Sequence, residues 1–158
     1  MKEVYYWSPC LSNVGTINST INSAIGLATY SKSYRVKIIN ACGEWDNYKS
    51  FFLKKNVELI DFPIKIFKFL PKEGYFKSRV SYFLIFLLSF FPLLNLIKKK
   101  SPNFLIMHLI TSLPLCLLFF FKFNTNFILR ISGLPKMNFI RKKFWTLLSG
   151  KIYKVTTP

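Results

Sequence analysis

Short apolar runs alternate with helix-like stretches along the whole sequence, and this alternation restricts the possible folds more than any other feature. The runs with strand character are 4–7, 35–41, 57–62, 104–108, 126–131 and 152–156. The stretches with helical spacing are 17–30, 46–55, 76–97, 111–121 and 139–149. Strands separated by helices form parallel sheets, because each crossover returns the chain to the same edge. We therefore predict an α/β fold, a Rossmann-like parallel sheet of about six strands with helices on both faces.

The composition favours one compact basic domain over residues 1–158. Of the 158 residues, 51% are hydrophobic, which excludes a disordered chain. There are 23 Lys and Arg against six Asp and Glu, a formal net charge of +17. Residues 74–158 hold 13 of the basic residues and none of the acidic ones. The counter-ions of this half are therefore expected to be phosphates or acidic lipid headgroups, and an anionic membrane surface is a predicted partner.

The metal-binding and redox residues are few. Cys10, Cys42 and Cys116 are widely spaced, and His108 is the one histidine, so neither a disulfide framework nor a metal site is expected. The apolar run at the N-terminus is broken by Ser8 and Pro9 and is too short for a secretory signal. We predict a cytoplasmic protein, peripheral at the inner face of the membrane.

Two uncharged stretches, 80–97 and 104–121, leave a membrane alternative open. Each is 18 residues long, the lower limit for crossing a bilayer, so a small integral membrane protein with a helical hairpin at 80–121 is a second hypothesis. Pro92 interrupts the first stretch, and the short connecting loop carries three lysines, which argues against the hairpin. The helix at 76–97 is expected either to lie in the headgroup region or to be a buried crossover helix.

Polar and glycine-containing segments follow the predicted strands. They are Asn13-Val14-Gly15-Thr16, Gly43-Glu44, Asp61, His108 and Ser132-Gly133. Ligands of parallel sheets bind beyond the carboxyl ends of the strands, so the site is expected along this edge. The turn at Gly15 opens a helix whose N-terminus suits phosphate, although the glycine also fits a simple tight turn. No dinucleotide fingerprint or P-loop is present.

Three segments resemble the N-terminal, acceptor-side domain of a GT-B, family 4-like glycosyltransferase. They are Tyr6-Trp7-Ser8-Pro9-Cys10-Leu11-Ser12-Asn13-Val14-Gly15-Thr16, Pro102-Asn103-Phe104-Leu105-Ile106-Met107-His108 and Leu129-Arg130-Ile131-Ser132-Gly133-Leu134-Pro135. The resemblance implies a retaining, metal-independent hexosyltransferase with a nucleotide-sugar donor and a glycan or lipid-linked acceptor. It also implies that the donor-binding C-terminal domain lies beyond residue 158, so the domain is incomplete and this chain alone is expected to be inactive.

The same resemblance assigns roles to individual residues. His108 occupies the place of a histidine that contacts the acceptor or the transferred sugar, which makes it the candidate catalytic residue. The acceptor- or phosphate-binding candidates are Asn13, Val14, Gly15, Thr16, Arg130, Ser132 and Gly133. Many relatives have a Gly-Gly pair where this sequence has Val14-Gly15. A structural role for His108, and pairing of Arg130 with a carboxylate or a helix end, remain alternatives.

Two further functional hypotheses concern nucleic acid and sugar binding. The net charge suits nucleic acid, but no nucleic-acid motif is present and most aromatic residues fall inside apolar runs, so no nucleic-acid partner is expected. A non-catalytic sugar-binding remnant is the last alternative, because the sequence does not distinguish it from part of a working enzyme.

Overall fold

Six parallel strands form a single sheet whose spatial order differs from the order along the chain. The computed structural model describes residues 1–11, 15–71, 74–131 and 139–156. Its strands are β1 (Lys2–Trp7), β2 (Tyr34–Asn40), β3 (Val57–Asp61), β4 (Phe104–Met107), β5 (Asn126–Arg130) and β6 (Lys154–Thr156). The spatial order is β3-β2-β1-β4-β5-β6, with every neighbouring pair parallel. The predicted sheet is confirmed, and β1 lies inside it, with Val4 opposite Val36 on one side and Phe104 on the other.

Each crossover between strands contains a helix. The helices are α1 (Gly15–Tyr30), α2 (Lys49–Lys54), α3 (Tyr75–Lys100), α4 (Ser112–Phe120) and α5 (Phe139–Ser149). The predicted helix at 46–55 is two segments, a 3-10 turn at Asp46–Tyr48 followed by α2. Pro114 lies in the first turn of α4, where its missing N–H costs no hydrogen bond.

Helices cover both faces of the sheet, as predicted. Val4 and Tyr6 of β1 pack with α1 and α2 in one apolar cluster. Tyr5 and Trp7 point the other way and pack with α3, α4 and α5 in a second cluster. Strands buried on both faces need apolar residues at successive positions, which explains the continuous apolar runs in the sequence.

Helix α3 corrects one sequence interpretation, because it continues through Pro92 without a break. A proline inside a helix leaves the carbonyl four residues earlier without its N–H partner. That carbonyl belongs to Leu88, a residue on the exposed side of the helix. The helix ends after the three lysines, at Ser101 in the left-handed conformation with φ 42°.

The helical hairpin at 80–121 is not formed. The second apolar stretch is divided between strand β4 and the nine-residue helix α4. Among the described residues, α3 is the one helix long and apolar enough to cross a bilayer. Its Ile85, Leu93 and Ile97 are buried against the sheet. Because spanning would remove these side chains from the core, the structure favours the layered arrangement over the hairpin.

The strand order turns the charge asymmetry of the sequence into an asymmetry in space. The acidic residues that the structure describes all lie on or beside β1, β2 and β3, which form one half of the sheet. Most of them pair locally: Lys37 Nζ is 2.9 Å from Glu3, and Arg35 Nε is 3.3 Å from Glu58. The half that contains β4, β5 and β6 has basic side chains but no Asp or Glu.

Candidate functional site

Three strands and one helix meet at the edge where the candidate residues were predicted. Strands β1, β4 and β5 are neighbours, and their carboxyl ends lead into Ser8, His108 and the residues after Arg130. Helix α1 begins beside them at Gly15. The fold therefore brings Gly15, Thr16, His108 and Arg130 to one edge. Asn13, Val14, Ser132 and Gly133 lie outside the described residues.

The hydroxyl of Thr20, in the second turn of α1, organises this edge. It donates a hydrogen bond to the carbonyl of Thr16 at 3.0 Å. Its oxygen lies 3.0 Å from Ser8 Oγ and 3.3 Å from His108 Nδ1. Since a threonine hydroxyl has one proton, and the Thr16 carbonyl takes it, the oxygen accepts from both neighbours. We assign the imidazole proton of His108 to Nδ1 on this basis, which leaves the lone pair on Nε2.

His108 is held as a neutral imidazole. The residue is 7% exposed, and burial lowers its pKa from 6.5, with the positive charge of Arg130 lowering it further. Within the described ranges, Nε2 is buried and has no hydrogen-bond partner. Most buried polar atoms are paired, so this unpaired acceptor makes Nε2 a candidate contact for a ligand hydroxyl.

Thr16 and Gly15 form the other side of the site. In the described part of the chain, the buried Thr16 Oγ1 also has no hydrogen-bond partner. Gly15 is the first residue of α1, and a Cβ built on it would meet no atom of the described residues within 4 Å. The absent side chain leaves space at the N-terminus of α1, where N–H groups favour an anion.

Arg130 contacts helix α1 within the described residues. Its Nη1 donates to the carbonyl of Ser19, inside α1, at 3.3 Å. No ion pair between Arg130 and a carboxylate occurs among the residues that the structure describes. The guanidinium is close enough to His108 to lower its pKa. A cation with remaining donors beside a neutral imidazole suits a phosphate or a polyhydroxylated ligand.

The ends of β2 and β3 carry a second polar cluster that the sequence analysis identified only in part. Asn40 is fully buried, and its amide nitrogen donates to Asp46 and Asp61, both at 2.6 Å. Lys65 Nζ bridges the same two carboxylates, at 2.8 and 3.1 Å. Burial raises the pKa of Asp61, but hydrogen bonds from Asn40 and the lysines outweigh it and lower the pKa.

A cavity of about 460 Å³ opens beside this polar cluster. Its lining residues include Cys42, Gly43, Asp46, Asn47, Lys65 and Phe67. Gly43 has φ +98°, and a Cβ there would lie 3.2 Å from Asp46 Oδ2, so the backbone requires glycine. The available sequence signal was the position of Asn40, a polar residue at the end of an apolar strand.

Glu44, noted at this edge from the sequence, has a structural role. Its two carboxylate oxygens accept the N–H groups of Ala41 and Cys42 at 3.0 and 2.7 Å. Burial raises its pKa, while these amides favour the ionised form. Glu44 therefore closes the turn after β2, with both of its carboxylate oxygens bound to backbone amides.

No residue group in the described ranges combines three His, Cys, Asp or Glu side chains in an arrangement that could hold a metal ion. The three cysteines are free thiols. Burial, with a smaller contribution from Glu44, raises the pKa of Cys10 to about 12, which keeps it protonated and unreactive. The candidate site consequently offers hydrogen-bonding groups and one cation.

Comparison with known proteins supplies information about the fold. The spinosyn forosaminyltransferase SpnP superimposes with a TM-score of 0.52 at 12% identity, over 94% of this chain and 36% of that one. The calicheamicin glycosyltransferase CalG4 gives a TM-score of 0.51 at 8% identity, over 96% and 37%. The fold is of the GT-B glycosyltransferase type. No protein-family model and no curated sequence matches.

The chain covers only part of each matched structure, and this limits the conclusions that the structural similarity supports. The chain spans little more than a third of either matched structure, 36% and 37%. At such low identity, the similarity concerns the arrangement of strands and helices and transfers no residue roles. The similarity to glycosyltransferases in fold is therefore firm. The family 4-like assignment and the acceptor-side position of the domain stay predictions.

Proposed function

We propose that the chain is the acceptor-side, N-terminal half of a GT-B glycosyltransferase similar to family 4. Joined to a donor-binding half, it transfers a hexosyl group from a nucleotide sugar to a glycan or lipid-linked acceptor at the cytoplasmic face of the membrane. The transfer is retaining and needs no metal, as the sequence resemblance implies. The observation that carries the proposal is the buried, neutral His108, whose Nε2 lone pair is free at the carboxyl edge of a GT-B-type sheet.

The proposed roles follow from the hydrogen-bonding capacity of each group. His108 Nε2 accepts a hydrogen bond from an acceptor hydroxyl, and Thr20 fixes the imidazole in the required tautomer. The N-terminus of α1, left open at Gly15, faces the donor diphosphate. Arg130 adds a positive charge beside both groups. The donor half supplies the remaining contacts to the nucleotide sugar, so the isolated chain binds acceptor analogues without transferring sugar.

The single histidine makes acceptor binding directly measurable by proton NMR. Octyl glucoside, below its micelle concentration, is expected to shift the Hε1 resonance of His108. The control ligand is an octyl oligoethylene glycol, which has the same alkyl chain without a sugar, and it should leave the resonance in place. Thr20→Val keeps the shape of the side chain but removes the hydroxyl, so the shift caused by octyl glucoside should shrink. Equal shifts from both ligands, or no shift from either, would contradict the proposed site.

Transfer assays test the half-enzyme proposal separately. The isolated chain, incubated with labelled uridine and guanosine diphosphate sugars and octyl glucoside, should give no labelled product. Sugar transfer by the isolated chain would contradict the proposal that the reaction needs a separate donor-binding half. A shift at His108 that persists when a donor half is joined, without any transfer, would instead favour a non-catalytic sugar-binding domain.

A further inference from the structure

The outer face of α3 is an exposed apolar surface. Its sheet-facing side buries Ile85, Leu93 and Ile97 in the core. On the opposite side, seven large apolar side chains are exposed: Phe76, Val80, Phe83, Leu84, Leu87, Leu88 and Phe91. We call these seven residues the α3 stripe. They cover a helix length of about 22 Å, at a rise of about 1.5 Å per residue. A continuous stripe of this kind marks an interaction surface.

Basic residues lie at both ends of the α3 stripe. Lys77 is exposed in the first turn of α3, and Lys98, Lys99 and Lys100 are exposed in the last turn. Lys98 Nζ is 4.5 Å from the centre of the Phe121 ring. The adjacent Phe120, at the end of α4, is exposed. No Asp or Glu occurs from residue 74 onward, so acidic side chains do not neutralise this surface from within the same half.

The α3 stripe continues into an apolar groove at the carboxyl edge of the sheet. The groove has a volume of about 460 Å³ and is lined by Tyr82, Phe83, Phe86, Leu109, Ile110 and Ser112. Phe83 belongs to both surfaces, and Leu109 directly follows His108. Apolar side chains therefore extend from the outer face of α3 to the loop beside the candidate site.

We propose that the α3 stripe lies in the headgroup region of an anionic bilayer, with the basic ends of α3 on the lipid phosphates. Apolar side chains between clusters of lysine are the combination that binds a helix flat on such a surface. A second copy of this chain fits poorly. In an antiparallel pair of whole α3 helices, aligned end to end, Lys77 of one copy would lie beside Lys98–Lys100 of the other, where like charges repel. The proposal does not depend on the proposed reaction.

The first test is sedimentation of the full chain with vesicles. Vesicles of phosphatidylcholine containing about one third phosphatidylglycerol should bind the chain at least about tenfold more tightly than phosphatidylcholine alone. Raising the salt concentration should weaken this binding. Equal binding to both kinds of vesicle, or none, would overturn the proposal. After a carbonate wash the chain should be released, whereas retention in the pellet would mean insertion and would also overturn it.

Paired variants distinguish binding through the α3 stripe from nonspecific hydrophobic binding. Leu87→Ser/Phe91→Ser alters residues that are 50% and 69% exposed and should weaken binding at least about tenfold. The matched control is Tyr30→Ser/Leu53→Ser. Tyr30 is the last residue of α1 and is 91% exposed, and Leu53 lies in α2 and is 79% exposed, so both are on helices other than α3. The control should bind like the unaltered chain. Equal losses in both variants would overturn the assignment to α3.

Two further measurements complete the design. Lys99→Gln/Lys100→Gln should abolish most of the preference for anionic vesicles while preserving the apolar contact. Circular dichroism checks that each variant is folded, and each α3 variant should keep the helix content of the unaltered chain at the temperature of the binding assay. If light scattering finds a dimer that Leu87→Ser/Phe91→Ser dissociates, the α3 stripe is an interface between copies and the bilayer proposal is wrong.

Discussion

At the scale of single residues, one hydroxyl determines what the imidazole of His108 can do. The hydroxyl of Thr20 donates its hydrogen bond to the carbonyl of Thr16, so its oxygen accepts a hydrogen bond from His108 Nδ1. The sequence located His108 at the end of a strand, and the structure confirms that position. The hydrogen bond to Thr20 was not predictable, because it joins residues 88 positions apart and depends on how α1 lies against the sheet.

The lowered pKa of His108 makes folding stability depend on pH. In the unfolded chain the imidazole takes a proton near pH 6.5, whereas the folded chain resists it. The free energy of unfolding should therefore fall as the pH drops below about 6.5, by at most about 1.4 kcal/mol per pH unit. Proton NMR of the single histidine should show a midpoint below 6.5. His108→Asn retains a donor toward Thr20. In this variant the free energy of unfolding, measured with urea, should decrease less below pH 6.5 than in the unaltered chain. A midpoint above 6.5 would contradict the neutral assignment.

At the scale of elements, the bounds of helices and strands were largely predictable, because apolar spacing reports which side chains are buried. The α5 bounds were predicted to the residue, and every predicted strand end agrees with the structure within two residues. The end of α3 and its continuation through Pro92 were not predictable, because proline ordinarily interrupts a helix and the spacing of apolar residues does not show where the helix continues past it. The cluster around Asn40 was predicted only in part: Asp61 was identified, but its contact with Asn40 and Asp46 was not, because these residues come from separate segments.

Two glycines of α1 provide a matched pair for testing the open space at its start. A Cβ on Gly15 or on Gly26 would meet nothing within 4 Å. Gly26→Ala, in the helix interior, should raise the free energy of unfolding by about 1 kcal/mol. Gly15→Ala should change stability less but should weaken binding of inorganic pyrophosphate at least about threefold, because the methyl group fills the anion space. Unchanged binding in Gly15→Ala, measured by calorimetry beside Gly26→Ala, would show that Gly15 only forms a turn.

At the scale of the whole molecule, the net charge of +17 opposes folding through repulsion within the basic half. The Debye length falls from about 30 Å at 0.01 M salt to about 8 Å at 0.15 M, so added salt should screen this repulsion. The unfolding temperature should rise by several degrees over that range. Sodium chloride and choline chloride should act alike, because the effect depends on ionic strength. A fall in unfolding temperature would mean that the ion pairs around Lys65 and Lys37 outweigh the repulsion.

The separation of charge between the two halves of the sheet gives the molecule a permanent electric dipole. Its negative side chains gather around β2 and β3, while the far strands and the end of α3 are purely cationic. A molecule with such a dipole rotates in an external field before it touches the source of that field. Near a polyanionic surface the molecule would therefore rotate before contact, so that the edge at β6 faces the surface and the edge at β3 faces away from it.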